Sequence, residues 1–167
     1  MIVEDGSIVT NANTYVSRDD YITYAATLGV TIPDTAAADI ELIKSAGYIR
    51  GHEARLKGNL VQRDQPMSYP RENLVIEGFQ WASSEIPRQV ILCQMALALD
   101  VHDGVDLYNP PANANRATKS ERVEGAIEVE YFGSNSGAKM GRTSTAQALL
   151  ASLMVNSGLF SIPLVRV

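Results

Sequence analysis

A chain of 167 residues and 18.1 kDa is long enough to bury one core without disulfides, and 46% apolar with 20% charged residues excludes wholesale disorder. The formal charge of -5 and the scatter of the Lys and Arg residues disfavour a protein that grips a phosphate backbone. Cys93 is the only cysteine, which excludes an internal disulfide or a thiolate metal cluster and fits a reduced, intracellular chain.

The start, "MIVEDGSIVT", lacks the basic and apolar regions of a signal peptide, and no segment approaches a membrane span, so the expected setting is the cytoplasm without membrane contact. Ser17 then reads as an N-cap, with Asp19 and Asp20 in the first turn and Tyr21, Tyr24, Ala25 and Leu28 at helical spacing until Gly29. Asp34 is the expected cap of a second helix, whose apolar stripe is read as Ala36, Ile40, Ile43 and Gly47 and whose end falls near Gly51. The two should pack as a hairpin.

Residues 51 to 84 show no sustained helical period and read as a long loop. Within it "ENLVIEGFQW" suits a strand or hairpin around Gly78. Ser84 as cap, Pro87 in the first turn and Gly104 as stop then frame the central buried helix, with Val90, Ile91, Met95, Leu97, Ala98, Leu99 and Val101 on more than one face. "LYNPPANANRATKS" reads as linker. In "ERVEGAIEVEYFG", Val123, Ile127, Val129 and Tyr131 alternate with acidic neighbours, which predicts a β element at about 120–133. A last helix runs through "AQALLASLMVNSG", capped by Thr143, Ser144 or Thr145, and residues 159–167 form an extended apolar arm after a helical domain over 1–158. The fold expected is mainly α: a small helical bundle with a protruding β-strand or hairpin element, long loops and that arm.

Catalytic chemistry finds no support in these residues. His52-Glu53 and His102-Asp103 lack the spacing of a helical zinc motif and suit capping or surface roles. Cys93 lies among Ile91, Leu92 and Met95 and reads as a core thiol. Neither a Gly-x-Ser-x-Gly elbow nor a phosphate-binding glycine loop occurs. Glu124, Glu128 and Glu130, with Glu121 nearby, admit three readings: a divalent-cation site, a solvated face that discourages edge pairing, or a wall past which DNA slides. Arg63, Arg71 and Arg88 with Tyr69 and Trp81 resemble in composition a platform for single strands, although packing and partner contacts explain them better.

The order of motifs resembles a family of tailed-phage proteins along nearly the whole chain. It is carried by "IVEDGSIVTNANTYVSRDDYITYAATLG", by "MSYPRENLVIEGFQWASSEIPRQVILCQMALAL" with Tyr69 where Trp is more usual, and by "KSERVEGAIEVEYFG" with the final helix and arm. That family goes by two descriptions, a DnaT-like single-stranded-DNA-binding protein and a head-tail connector, also called an adaptor or head-completion protein. The connector resemblance implies a virion protein of the neck, assembled in the host cytoplasm, without enzyme activity or cofactor. Its partners would be a ring of about twelve copies of itself with heterologous contacts, the portal protein, a tail-side completion or terminator protein, and genomic DNA passing without specific binding. On that reading Leu159, Phe160, Ile162, Pro163, Leu164, Val165 and Arg166 reach the portal or a neighbour. Glu124, Glu128 and Glu130 line the channel, and Tyr69, Pro70, Arg71, Trp81 and Pro87 set the course of the loop and the start of the core helix.

Overall fold

A computed structural model describes residues 1–108 and 143–155, apart from the side chains of Thr143 and Ser144. Four α-helices form its body: α1 (Arg18–Thr27), α2 (Ala36–Gly51), α3 (Arg88–His102) and α4 (Thr143–Leu153). A single turn of 3-10 helix (Glu53–Arg55) and four two-residue strands lie between α2 and α3. The protein is mainly α with a hairpin element.

Local chemistry accounts for the helix ends. The Ser17 hydroxyl accepts the Asp20 N–H, so α1 begins where a side chain satisfies a free amide. At α2 the cap position is Thr35 instead of Asp34, whose carboxylate is held by Arg18. α3 starts from Pro87, whose carbonyl accepts the Val90 N–H, and Ser84 is exposed and lies outside the cap. Its stop is Gly104, at φ +86°.

α3 is the axis of the core, packed most extensively against α4 and α2. Cys93, Leu97, Ala98 and Leu99 are fully or almost fully buried along it, and so is Gln94. That carboxamide accepts the Tyr15 N–H and donates to Thr14 Oγ1 and the Leu42 carbonyl, so the polar centre of the helix is hydrogen-bonded to two other segments. α1 meets α2 through polar pairs rather than as a tightly packed hairpin: Arg18 bridges Asp34 and Asp39, and Tyr21 Oη donates to Glu41.

The connection from 52 to 87 is ordered by two small sheets. β1 (Asn59–Leu60) pairs antiparallel with β2 (Arg71–Glu72), and β3 (Val75–Ile76) pairs with β4 (Phe79–Gln80). Between β3 and β4 stand Glu77 and Gly78 at φ +52° and +84°, the left-handed pair that a two-residue hairpin loop of matching twist requires. Inside the first loop the buried Gln65 accepts the Val61 and Gln62 N–H groups and donates to the Met67 and Pro70 carbonyls, a use of the whole amide that replaces missing secondary structure. The end of α4 is stitched to the same region. Lys57 N–H donates to the Leu153 carbonyl, Val155 N–H donates to the Arg55 carbonyl, and Lys57 Nζ reaches the Ser152 carbonyl.

The N-terminal segment folds around a buried acid. Glu4 accepts N–H groups from Gly6, Ile8 and Val9, and this ring of donors holds Ile8 at φ +61°, unusual for a β-branched residue. Val3 makes one parallel bridge with Thr14, and the Glu4 N–H donates to the Thr14 carbonyl.

Candidate functional site

The stretch from 68 to 90 is interior scaffold at its start and surface at its middle. Tyr69 is fully buried, its N–H donating to Tyr15 Oη and its ring edge-on to Tyr15 at 6.3 Å. Burial pushes both phenols well above the usual tyrosine range. The Tyr69-Pro70 peptide is cis. Arg71 is 5% exposed, donates to the Ser68 and Gly58 carbonyls, and lies 5.9 Å from the centroid of the Tyr69 ring. Trp81 is half-buried against the core, and Pro87 is buried at the start of α3. Arg63 and Arg88 are exposed. The Arg and aromatic set is therefore divided between interior and surface, with its most cation-rich pair, Arg71 on Tyr69, closed to a ligand.

The exposed apolar surface lies elsewhere. Ala36, Ile40, Ile43, Gly47 and Gly51 fall within an arc of about 80° on α2, at about 100° per residue. The core-facing residues Ala38, Leu42, Ser45, Ala46 and Ile49 occupy the opposite side. The stripe read from the sequence is thus a real face of the helix, but the outer one: Ile40 is 52% exposed and Ile43 38%. The Tyr108 hydroxyl lies over Gly47 and donates to the Lys44 carbonyl, and its ring meets Tyr48 edge-on at 6.2 Å. Tyr48 in turn meets His52 at 4.7 Å between ring centres, the two rings tilted by 55°. A cavity of about 320 Å³ opens beside them, lined by Lys44, Val101, Gly104, Val105, Asp106, Leu107 and Tyr108. A second exposed apolar feature is the β3–β4 hairpin, where Phe79 is 74% exposed and Val75 48%.

Several titratable groups hold elements of the fold together. Arg18 beside Asp39 holds that carboxyl below the usual carboxylate range, and Glu41 takes Tyr21 Oη on one oxygen and His102 Nδ1 on the other, joining α1, α2 and α3. His52 contacts the Tyr48 carbonyl at the end of α2. Burial pushes the Cys93 thiol up to about 12, the opposite of what a nucleophile needs. Among the described residues no group of three or more His, Cys, Asp or Glu side chains is placed to hold a metal ion, and no helix is long and apolar enough to cross a membrane. The acidic candidates Glu124, Glu128 and Glu130, the β element at 120–133 and the arm residues Leu159, Phe160, Ile162, Pro163, Leu164, Val165 and Arg166 lie outside the described residues.

No curated protein and no solved structure matches the chain. One family model does, over residues 1–167, and its description is "Putative DnaT-like ssDNA binding protein". A match over that whole length shows the family, so the chain belongs to the DnaT-like ssDNA-binding family.

Proposed function

We propose that this chain is a non-enzymatic structural subunit of a tailed-phage neck, a head-tail connector that forms a ring on the portal and continues the DNA channel toward a tail-side completion protein. The observation that carries the reading is the disposition of charge. Over residues 1–108 and 143–155 fifteen Asp and Glu stand against eight Lys and Arg. Of those eight, Arg71 is buried and Arg18 is paired with Asp34 and Asp39, while Glu4 and Asp100 are buried among the fifteen, so the exposed balance stays acidic. A wall of that sign lets a phosphate backbone pass without holding it. The resemblance of the motifs to connector proteins points the same way, as do the apolar side chains of Phe79, Ile40 and Ile43 left at the surface.

A second reading, single-stranded-DNA binding, is favoured by the description of the family to which the chain belongs. Its natural seat among the described residues is the Tyr48, His52 and Tyr108 cluster beside Lys44, where a base would have rings to stack on.

Purified protein is to be mixed with the cognate portal ring and, separately, with labelled single-stranded DNA at two salt concentrations. Saturable portal capture without DNA retention is the result expected of a connector. DNA retention that falls steeply with salt, with no portal capture, would establish the DNA-binding reading in its place.

A further inference from the structure

The outer face of α2 and the β3–β4 hairpin are complementary in both chemistry and sign. On α2 the apolar arc of Ile40, Ile43 and Gly47 is bordered by Lys44 and Arg50, both exposed and neither ion-paired among the described residues. Asp106 lines the same cavity as Lys44 and accepts the Tyr108 N–H. At the hairpin Phe79 stands exposed, with Glu77 in its turn and Glu72 at the end of β2, both exposed and likewise without an ion pair among the described residues; Val75, paired with Gln80, is on the other face from Phe79. Each half carries what the other lacks.

We infer that the hairpin of one copy docks on the outer face of α2 of the next, with Phe79 seated against Ile40, Ile43 and the Tyr108 cavity and Glu72 and Glu77 facing Lys44 and Arg50. This rests on the ring reading above. The occupant is a second copy presenting a different surface, because two α2 faces brought together would oppose Lys44 and Arg50 to themselves, and two hairpins would oppose their glutamates. A contact between unlike surfaces is heterologous and propagates until it closes, which is the symmetry a ring needs. Gly51 has no Cβ and nothing within 4 Å of where one would stand, so an incoming backbone can approach that end of the helix closely, whereas Gly47 is covered by the Tyr108 hydroxyl. Size sets the strength. One Phe buries about 150–250 Å², and a hairpin resting on one helix face falls short of the roughly 1,200 Å² of a standard stable pair. Two free copies therefore associate weakly, and the contact persists where each copy makes it twice or a template aligns them.

Cysteine cross-linking of the full chain reads such a weak contact directly. Phe79→Cys and Ile40→Cys variants, each with the buried Cys93 retained, are oxidised mildly alone and as a mixture, with an exposed Asp19→Cys variant as the collision control. The expected result is a cross-linked pair in the mixture well above control, little in either variant alone, and a ladder from the double variant. Adding Lys44→Glu and Arg50→Glu to the Ile40→Cys copy should lower the yield several-fold, on the order of fivefold for two exposed pairs. Adding Glu72→Lys and Glu77→Lys to the partner copy should restore it. Efficient cross-linking of Ile40→Cys with itself would mean that α2 meets α2 about a two-fold axis, and yields at the control level throughout would mean no such contact; either overturns the inference. Electron microscopy of wild-type protein with portal separates the two levels: rings without the cross-link reject this contact alone, whereas absence of rings rejects the connector reading with it.

Discussion

Gln94, at the centre of α3, accepts the backbone N–H of Tyr15 at 2.9 Å, across 79 positions of sequence. With the bond from its amide nitrogen to Thr14 Oγ1, it fixes the N-terminal segment directly to the central helix. Gln94→Leu keeps the volume roughly and removes the acceptor, leaving a buried N–H without a partner. The variant should lose about 1–3 kcal/mol of stability, read as a lower urea midpoint at an unchanged slope.

Gly6 provides a test of close approach. A Cβ built there would lie 2.0 Å from the Ser84 carbonyl oxygen, and its φ of +103° is one that side-chain-bearing residues rarely adopt. Gly6→Ala must displace backbone and should cost about 2 kcal/mol or more. Gly29→Ala, at φ +74° with nothing within 4 Å, meets only the conformational penalty of about 1 kcal/mol. Thermal melts of the two variants should rank in that order.

The Arg18 pairs give a pH signature of defined sign. Arg18 depresses the Asp39 carboxyl below its ordinary value of 3.8, so the folded state holds the proton less well than the unfolded state. Stability from this pair is fully present above that ordinary value and is lost as the pH falls through the lower, folded one. The difference between wild type and Arg18→Ala in urea midpoint should be constant near neutrality and shrink as the pH falls below the ordinary carboxylate value. A difference that persisted in acid would assign the role of Arg18 to packing of its alkyl stem.

Cys93 should be silent in the native protein. It is fully buried, its thiol is raised to about 12, and Sγ faces the Ala146 carbonyl on α4. Alkylation by iodoacetamide at neutral pH should therefore track opening of the α3–α4 contact. Its rate should rise by a factor of roughly 10³ or more in denaturant for a domain of ordinary stability. Fast labelling without denaturant would show that α4 detaches readily.

The parts of the fold that were legible in sequence are those set by local chemistry. Ser17 capped α1 because its hydroxyl needs only an amide three residues on; Gly78 turned the hairpin because a left-handed pair was required; Pro87 and Gly104 framed α3. α2 defeated the same reasoning in an instructive way. Ala36, Ile40, Ile43 and Gly47 are at helical spacing, but so are Ala38, Leu42, Ala46 and Ile49, and periodicity gives no information on which of two apolar arcs meets α3. Glu4 was illegible for another reason. An acid reads as surface, and its burial depends on three amides brought together by a left-handed Ile8 that no propensity favours. The α2–hairpin surface follows from these placements and from the exposure of Phe79, neither of which is a property of any short motif.

The stitch between Arg55–Lys57 and Ser152–Val155 bears on how the chain matures. Almost a hundred residues separate the two halves of that seam, Lys57 and Ser152 being 95 apart, and α3 is left without its largest neighbour until α4 arrives. A polypeptide still emerging from the ribosome exposes the α3 surface that holds Cys93 until α4 is made, so closure of this part of the fold waits for residues 143–155. Nascent chains stopped before residue 143 should engage holding chaperones, and those extended past 155 and clear of the exit tunnel should release them.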